Sequence, residues 1–419
     1  QMCIRDSAKV IGLVRGGEKV GEVSQGDEVE VILDVTPMYA ESGGQMADRG
    51  RLLMGETILN VNDVQRVGKK LWLHKATVQN GGLDLGSTVT AEVDGAWRHG
   101  ARQAHSATHL IHAAIRQVLG PAAVQAGSLN KPGYLRFDFN YTDQLTDAQL
   151  QEIATITNQA VDADFAVNTI ETSLDKAKEM GAMALFGESY GDTVRVVEIG
   201  GPFSVELCGG THVEHASQIG PVAVLGESSV GSGARRIEAY SGMDSFKYLS
   251  KEAALASGLA AELKAPTEEL PDRIAQLSER LRAAEKEIAN LHRQQLLAST
   301  ANLADEAQTV GEHRVVAKHL PEGITTGDLR TIANDLRGKL QAEDAVIVLL
   351  SQVDGKVSLA AAATQQAVQS GVKAGDLVKL IGQYVDGKGG GKPDLAQGTG
   401  ANPAGIEDAL RAVRESLAE

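Results

Sequence analysis

The sequence is poor in cysteine, in aromatic residues and in positive charge. It contains two cysteines in 419 residues, its aromatic content is 4%, and its formal net charge at pH 7 is −15. Two cysteines, one of them inside a candidate ligand motif, cannot build a disulfide framework, so we expect a reducing, cytoplasmic environment. The negative charge argues against non-specific binding to nucleic acid. Local basic pairs are candidates for specific phosphate contacts, although each alone is better explained as a solvated surface pair: Arg98 with Arg102, Arg235 with Arg236, and Lys388 with Lys392.

Long hydrophobic runs are also missing. No apolar stretch approaches the roughly 20 residues that span a bilayer, and no signal peptide is visible, so we expect no association with a membrane. The length and a hydrophobic content of 42% are typical of a globular chain with about three domains. Residues 1–7 match nothing that follows and lack an initiating Met. We interpret them as a sign of a fragment or an assembly scar, and we give Cys3 no role.

What the sequence does contain is a pair of histidines at helical spacing. His105 and His109 lie four residues apart, which places two imidazoles on one face of a helix, one turn apart. A lone pair of this kind is more often a surface or core feature than a metal site. A helix is favoured because apolar residues recur at helical period up to a stop signal at Gly120-Pro121: Leu110, Ile111, Ala114, Ile115, Val118 and Leu119.

A thiol and an imidazole form the second half of the motif. Cys208 and His212 flank a short turn that contains Gly209 and Gly210. With the two helical histidines they make a soft set of nitrogen and sulfur donors that suits tetrahedral Zn²⁺, with bonds of about 2.0–2.3 Å. Either half alone is a weak signal, but the two together predict a zinc site.

Both motifs, with the sequence between them, resemble the editing domain of alanyl-tRNA synthetases and of related free-standing proteins. The resemblance covers nearly all of the chain after Ser7, and it implies that His105, His109, Cys208 and His212 bind Zn²⁺. It also implies hydrolysis of the ester between a wrong amino acid and tRNA. No stretch resembles the class II aminoacylation core. We therefore expect the chain to deacylate tRNA and not to charge it, whereas the parent enzyme would attach alanine to tRNA(Ala) with ATP.

The substrates that require such a site are Ser-tRNA(Ala) and Gly-tRNA(Ala). A pocket built for alanine cannot strongly exclude glycine, which is smaller, or serine, which adds one hydroxyl. A second site that hydrogen-bonds the serine hydroxyl rejects alanine, because alanine would leave that polar partner unpaired. Candidates for this partner are Thr108, Gln125 and Thr211, of which the resemblance favours Gln125. Helix packing for Thr108 and a surface amide for Gln125 are the plainer explanations. Backbone N–H groups near Gly209 and Gly210 are candidates for stabilising the carbonyl oxygen as it gains charge.

The role of the zinc leaves alternatives open. Four protein ligands close a site, and closed sites are normally structural. Either one ligand gives way to a water, or the metal orients the end of the tRNA. A tRNA-binding or dimerising module with a purely structural zinc is a separate hypothesis, and so is a complete, free-standing editing protein in place of a fragment. A threonyl-tRNA editing domain shares the motifs, but the segments on either side favour alanine.

The pattern of elements predicts an α+β, multidomain chain. Residues 8–93 contain short β-rich segments punctuated by glycine, which is typical of a small β-barrel. The loop Gly43-Gly44-Gln45 interrupts this barrel, and we assign it no chemistry. Residues 94–242 alternate helices and strands without a dinucleotide fingerprint, so they predict an α+β editing domain.

The remaining residues predict a helical segment and a last α/β domain. In residues 243–305, apolar positions from Leu270 to Leu291 alternate steps of four and three, as in a coiled coil. An antiparallel helical hairpin within the chain and a homo-oligomer contact both explain this pattern. The C-terminal domain is a second possible oligomer contact.

Residues 306–419 contain two apolar β-rich runs that predict a hairpin across Asp354-Gly355. They resemble the DHH-associated domain that closes alanyl-tRNA synthetases, where a glycine-rich tract is thought to face RNA. Here that tract runs from Asp386 to Gly398. Its composition fits phosphate binding and a flexible loop equally well. Across the whole chain the resemblance implies tRNA(Ala) as the partner.

Overall fold

A computed structural model describes most of the chain: residues 4–68, 71–183 and 191–418. Cys3 lies outside this part of the chain. The chain divides between Thr267 and Glu268 into two units. The segments 8–93 and 94–242 both belong to the first unit. The finer division into four domains stays a prediction.

The first segment forms a closed β-barrel, as its short β-rich segments predict. Because β1 pairs with both β4 and β9, six of the described strands close in the order β1-β4-β7-β6-β5-β9 and back to β1. Alternate residues of each strand point inward, and the fourth strand thus buries Val29, Val31 and Leu33. The bounds are β1 (Arg5–Arg15), β2 (Glu18–Lys19), β3 (Glu22–Ser24), β4 (Glu28–Leu33), β5 (Gly50–Met54), β6 (Thr57–Val67), β7 (Leu71–Asn80), β8 (Gly82–Asp84) and β9 (Thr88–Val93).

The rest of the first unit alternates helices and strands, as expected for an α+β domain. Its elements are α1 (Gly95–Leu119), β10 (Gln125–Lys131), β11 (Tyr134–Asn140), α2 (Asp147–Asp162), β12 (Val167–Ser173), α3 (Leu174–Glu179), β13 (Thr193–Ile199), β14 (Ser204–Leu207), β15 (Val222–Gly231), β16 (Ala234–Ser241) and α4 (Gly242–Leu263). The strands form one sheet in the order β10-β11-β16-β15 and another in the order β12-β13-β14.

The predicted histidine helix is α1, and local chemistry explains both of its ends. Asp94 caps the N-terminus by accepting hydrogen bonds from the N–H groups of Ala96 and Trp97, each at 3.0 Å. The helix stops at Gly120, whose φ of 98° favours glycine. One face of the helix packs into a core that includes Leu110, Ile111, Ile115, Phe137, Phe139 and Ile237.

A buried ion pair anchors the loop between β4 and β5 to α1. Asp48 in the loop and Arg98 in the helix are 0% and 2% exposed. Nε of Arg98 lies 2.9 Å from both carboxylate oxygens of Asp48. Arg98 also donates to the carbonyl of Pro37 at 2.9 Å, and Asp48 accepts from the N–H of Tyr39 at 2.6 Å. Removing one member of such a buried pair lowers the free energy of unfolding by about 3–5 kcal/mol. Because the pair also binds the backbone at Pro37 and Tyr39, it fixes the path of the loop.

Several of the arginines considered as phosphate contacts are instead paired with carboxylates inside the fold. Arg235 donates to Glu227 at 2.7 and 2.5 Å, and Arg236 donates to Asp138 at 2.6 and 2.9 Å. Arg98 is engaged by Asp48, as described above. These ion pairs engage the three arginines within the first unit, and a role for any of them in binding phosphate stays a prediction.

The second unit contains a six-stranded sheet with helices on both faces. Its elements are α5 (Leu270–Ser299), β17 (Gln308–Val310), β18 (His313–His319), α6 (Thr326–Lys339), β19 (Ala345–Val353), β20 (Lys356–Ala363), α7 (Gln365–Gln369), α8 (Ala374–Tyr384), β21 (Gly387–Lys392), β22 (Leu395–Gly400) and α9 (Ile406–Ala418). The strand order is β17-β18-β19-β20-β22-β21, and only the described pair β18–β19 is parallel. The predicted hairpin is confirmed: β19 and β20 meet at Asp354 and Gly355, with φ values of 48° and 75°.

The glycine tract is an edge strand, and the flexible-loop interpretation was wrong. Residues Gly387–Lys392 form β21, which pairs with β22 along its length. Glycine is needed at position 389 because α8 lies directly against the strand backbone there. A Cβ on Gly389 would lie 2.5 Å from Cγ1 of Val378 in α8. Glycine here therefore permits close packing of helix on sheet, while Lys388 and Lys392 remain exposed.

The predicted heptad residues lie on α5, and most of them are exposed. Leu270 is buried. Five later apolar residues of the pattern are between 37% and 66% exposed: Ile274, Leu277, Leu281, Ile288 and Leu291. In α4, Phe246 and Leu255 are similarly exposed at 58% and 60%. The hairpin and oligomer hypotheses both stay predictions. Among the described helices, none combines the length and apolar character of a membrane-spanning segment.

His74 is a buried, neutral histidine inside the barrel. Its Nδ1 lies 3.0 Å from the carbonyl of Val31, which can only accept, so Nδ1 carries the proton. Its Nε2 then accepts from the hydroxyl of Thr36 at 2.8 Å. Burial lowers the pKa of His74 to about 4, although the Val31 carbonyl acts in the opposite direction.

We expect His74 to make the stability of the first unit depend on pH. An unfolded histidine titrates near pH 6.5, so its stabilising contribution is complete above that pH and is lost as the pH falls toward 4. Between pH 7 and pH 4.5 the free energy of unfolding should fall by about 2–3 kcal/mol more in the wild type than in His74→Asn. Urea unfolding followed by tryptophan fluorescence measures this, because both tryptophans, Trp72 and Trp97, lie in the first unit. Equal pH dependence in the two proteins would contradict the assignment.

Candidate metal centre and adjoining cavity

The structure brings the four predicted ligands together. His105 and His109 project from one face of α1, with ring centroids 5.4 Å apart. Cys208 and His212 lie in the turn that follows β14. The candidate ligand atoms of all four residues lie within 4.8 Å of one another, and three of the residues are buried. This is the only such cluster of three or more ligating side chains within the described residues.

Two of the distances between candidate donor atoms match those around a tetrahedral zinc ion. Sγ of Cys208 lies 3.4 Å from Nε2 of His105 and 3.3 Å from Nε2 of His212. Bonds of about 2.0–2.3 Å in a tetrahedron separate neighbouring ligand atoms by about 3.3–3.7 Å. Nε2 of His109 is buried without a hydrogen-bond partner among the described residues. A buried orphan of this kind is expected where a metal is bound.

The other ring nitrogen of each histidine has a polar neighbour. Nδ1 of His105 lies 2.8 Å from Oε1 of Gln45, and Nδ1 of His109 lies 2.9 Å from Oε2 of Glu206. Nδ1 of His212 lies 3.2 Å from Oγ of Ser106. Outer partners of this kind fix the tautomer and the ring orientation of metal-binding histidines. The arrangement leaves three Nε2 atoms facing the cysteine.

The electrostatics of the cluster favour a thiolate. Burial alone would raise the pKa of the Cys208 thiol, but its interactions with the His105 imidazole lower it well below its ordinary value. Burial lowers the pKa of His212 to about 3, which keeps its ring neutral. Since a thiolate and a neutral imidazole are the forms that bind zinc, the site is prepared for a metal.

Glu206 is a buried carboxylate held by two histidines. Its Oε1 lies 3.0 Å from Nδ1 of His112, and its Oε2 contacts His109. Burial would raise the pKa of Glu206, but His109 and His112 lower it below its ordinary value. Burial would lower the pKa of His109, but Glu206 raises it to about 10. If Nε2 of His109 held a metal, the ring would keep its hydrogen on Nδ1, which lies 2.9 Å from Oε2 of Glu206.

An arginine shapes the turn that carries Cys208 and His212. Nη1 of Arg195 donates to the carbonyls of Cys208 at 2.9 Å and Gly210 at 2.6 Å. The N–H of Gly210 faces Sγ of Cys208 at 3.4 Å. A Cβ on Gly210 would lie 2.1 Å from Cε1 of His105, whereas a Cβ on Gly209 would have no heavy atom within 4 Å. Only the second glycine of the pair is therefore required by packing.

A cavity of about 370 Å³ adjoins the cluster. His105, His109 and Cys208 form part of its wall, together with Thr108 and Gln125. Its size lies near the lower end of small-molecule pockets, which span about 300–1,000 Å³. Its wall also contains basic and polar side chains from both segments of the first unit, namely Tyr39, Arg66, Ser128 and Arg195, and the two glycines Gly209 and Gly210.

The three candidate partners for a serine hydroxyl occupy different positions. Nε2 of Gln125 donates to Oγ of Ser128 at 3.1 Å, so its carbonyl oxygen is the end available to a ligand. The hydroxyl hydrogen of Thr108 is directed at the Ala104 carbonyl, 3.0 Å away, and at Asn130. Thr211 is buried and is not among the residues that line the cavity; its hydroxyl accepts from Gln45 at 2.8 Å.

Sequence reasoning missed the residues that surround the ligands. His112 follows His109 by three residues and therefore lies on the same helical face as His105 and His109. This spacing is the sequence signal by which His112 could have been predicted to lie near the site. Glu206 lies two residues before Cys208, but nothing in that spacing reveals its contact. Gln45 was noticed only as part of a loop.

Family models match three parts of the chain. One described as "tRNA synthetases class II (A)" matches residues 2–97, which contain the barrel. One described as "Threonyl and Alanyl tRNA synthetase second additional domain" matches residues 194–238, which contain Cys208 and His212. The DHHA1 domain model matches residues 312–419 of the second unit.

Curated relatives match along almost the whole chain. An alanine–tRNA ligase of Corynebacterium glutamicum strain R is 65% identical over 410 residues, which are 98% of this chain and 46% of the relative. The chain belongs to the alanyl-tRNA synthetase family. Alanine–tRNA ligases of Nocardia farcinica and Mycobacterium avium are 56% and 54% identical to it. Each of these matches covers 99% of this chain and 47% of the relative.

This alanyl-tRNA synthetase family chain thus spans about half the length of the curated relatives it matches. A solved structure described as the C-Ala domain of Aquifex aeolicus alanyl-tRNA synthetase is 25% identical to it. That likeness covers 27% of this chain and 98% of the solved chain, with a TM-score of 0.25.

The glycine pair in the turn provides a matched test of the centre. We expect Gly210→Ala to push against the ring of His105 and to weaken zinc binding by about tenfold or more, as loss of ligand orientation does in other sites. Gly209→Ala should bind zinc as the wild type does. Zinc affinity measured by competition with a chromophoric chelator distinguishes the two. Equal affinity in both variants would show that His105 is not a ligand.

Proposed function

We propose that this chain hydrolyses the ester bond of mischarged Ser-tRNA(Ala) and Gly-tRNA(Ala). The observation that carries the proposal is the polar cavity whose wall includes three members of the His/His/Cys/His cluster. A purely structural metal site needs no cavity beside it. Membership of the alanyl-tRNA synthetase family supplies the substrate class, because alanine activation produces the serine and glycine errors that such a site must remove. Attachment of alanine to tRNA(Ala) with ATP is proposed for the longer parent protein.

We propose that His105, His109, Cys208 and His212 hold the zinc ion. A bound Zn²⁺ would supply a fixed positive charge at the cavity wall and orient the 3′ end of the tRNA. A site closed by four side chains favours this orienting role over exchange of one ligand for water. The other requirements fall on the chain itself.

The turn after β14 is proposed to stabilise the carbonyl oxygen of the ester during attack by water. Charge develops on that oxygen, and a backbone N–H aimed at it lowers the barrier. The N–H of Gly210 is directed at Cys208, and that of Thr211 donates to Gln45 at 2.8 Å. The N–H of Gly209, which lies at the cavity wall, is therefore the better candidate donor.

Gln125 is proposed to recognise the serine hydroxyl. Its amide is half-buried at the cavity wall, and its NH₂ group is directed at Ser128. The amide oxygen can then accept a hydrogen bond from the hydroxyl of serine. Alanine offers no such donor and would leave the oxygen unpaired, so this contact favours Ser-tRNA(Ala) over Ala-tRNA(Ala). Thr108 can assist as a second acceptor.

The tRNA itself is the proposed partner. Lys388 and Lys392 are exposed on the edge strand β21, so the second unit offers positive charge to an RNA backbone. Homo-oligomer formation through the exposed apolar residues of α4 or α5 and a cytoplasmic location remain predictions that accompany this proposal.

A deacylation assay tests the proposed activity. The zinc-loaded chain should hydrolyse Ser-tRNA(Ala) much faster than Ala-tRNA(Ala), and it should form no Ala-tRNA(Ala) from alanine and ATP. Replacing His105 by Ala, or removing zinc with a chelator, should lower the deacylation rate by about 100-fold or more. The reason is that hydrolysis depends on precise positioning of the ester, which the metal is proposed to provide. His99→Ala, an exposed histidine on the same helix, is the matched control.

Two outcomes would contradict the proposal. Unchanged deacylation by a folded His105→Ala variant would mean that the metal takes no part in the reaction. Absence of deacylation with any mischarged tRNA would favour the tRNA-binding or dimerising module with a structural zinc.

Substrate selectivity tests the role of Gln125. Gln125→Leu should lower the rate with Ser-tRNA(Ala) by about tenfold, the value of one hydrogen bond, and change the rate with Gly-tRNA(Ala) much less. Gln117→Leu, which alters an exposed amide on α1, should leave both rates unchanged. Parallel loss with both substrates would show that Gln125 shapes the cavity without recognising the hydroxyl.

A further inference from the structure

The loop between β4 and β5 extends from the barrel to the edge of the sheet beside the metal cluster. The N–H of Asn130 in β10 donates to the carbonyl of Gly44 at 2.7 Å, and the N–H of Met46 donates to the carbonyl of Asn130 at 3.0 Å. A Cβ on Gly44 would lie 2.6 Å from the carbonyl oxygen of Ser128, and its φ is +79°. Glycine thus allows the loop backbone to lie directly on β10.

This docking buries the side chain of Gln45 completely. Gln45 is 0% exposed, and its amide lies between α1 and the turn that carries Cys208 and His212. Within the part of the chain that the structure describes, the hydrogen bonds of this amide go to His105 and Thr211. A buried amide must find partners for its polar atoms, so this set of contacts is specific.

The hydrogen-bond network fixes the orientation of the amide. The backbone N–H of Thr211 can only donate, so the Gln45 atom 2.8 Å away is the carbonyl oxygen, Oε1. The opposite atom, Nε2, donates to the hydroxyl of Thr211 at 2.8 Å. These two hydrogen bonds to Thr211 hold the turn that carries Cys208 and His212 against Gln45.

The same logic fixes the tautomer of His105. Its Nδ1 lies 2.8 Å from the acceptor Oε1 of Gln45, so Nδ1 carries the hydrogen and donates it. In a neutral ring the lone pair then belongs to Nε2, which lies 3.4 Å from Sγ of Cys208. Nε2 is the atom that a metal would require.

We propose that Gln45 is a positioning residue for the metal centre: it holds His105 in the metal-binding tautomer and ties the ligand turn to α1 through Thr211. The proposal rests on the zinc site of the proposed function and assigns chemistry to a loop residue outside the ligand motifs. The centre is complete only when the barrel contributes this side chain.

Zinc affinity of the full chain tests the proposal without measuring catalysis. Gln45→Met keeps the length of the side chain but removes both polar atoms, and it should weaken zinc binding by about 10–100-fold, as loss of an outer partner does. Gln45→Glu keeps an oxygen that accepts from Thr211 and His105, and it should restore the affinity to within about threefold of the wild type. The absorption spectrum of bound Co²⁺ should change in the Met variant and return toward the wild-type spectrum in the Glu variant.

Controls separate positioning from general stability. Gln65→Met makes the same substitution at a half-buried amide of β6, which contacts Glu41 and Asp63, and should leave zinc affinity unchanged. Circular dichroism of each zinc-free variant reports the fold. If Gln45→Met does not fold, Gln45→Asn replaces it, because the shorter amide cannot reach both His105 and Thr211, and the same loss is expected.

The outcomes are distinguishable from failure of the proposed function. A folded Met or Asn variant that binds zinc as tightly as the wild type would overturn the positioning role while the zinc site and deacylation stand. Equal loss in the Glu and Met variants would also overturn it, because an acceptor for His105 would then not be what matters. A wild-type chain that binds no zinc would overturn the proposed site and this inference together.

Discussion

Burial of three imidazoles and a thiol in one place is the constraint that governs the first unit. Each of these groups loses hydration when it is buried, and each imidazole has two nitrogens that need partners. The Nε2 atoms of His105 and His212 lie beside Cys208, so a shared ion would satisfy that side of the cluster. The other nitrogens must be satisfied by protein groups, and the fold supplies them from three separate elements. The arrangement around the cluster is therefore determined by hydrogen bonding as much as by apolar packing.

The three outer partners come from distant parts of the sequence. Ser106 lies on α1 itself, Glu206 lies on β14, and Gln45 lies in the barrel loop. Together they link the helix, the second sheet and the barrel around one point. The cavity lies where these elements meet, and its wall contains residues from each of them. The chemistry of the site and the packing of the unit are for this reason hard to separate.

Local patterns in the sequence predicted what depends on local geometry. The helical period around His105 and His109 predicted α1, and Asp354-Gly355 predicted the hairpin, because each depends on neighbouring residues. Contacts across long separations were not predictable: Gln45 meets His105 across 60 positions and Thr211 across 166. The composition of Gly387–Lys392 suggests a loop, but the segment is a strand, and the packing of α8 against it requires a residue without a side chain at Gly389.

The ion pair between Asp48 and Arg98 has a consequence for how the first unit can be divided. Along the sequence, the barrel ends at Val93 and the next segment begins with the cap of α1 at Asp94. A cut there would separate the two charges, and each would lose its partner and the packing that shields it from water. Neither piece would keep the surface that it presents in the intact chain. The ion pair therefore couples the barrel to the α+β segment across the boundary that the sequence suggests.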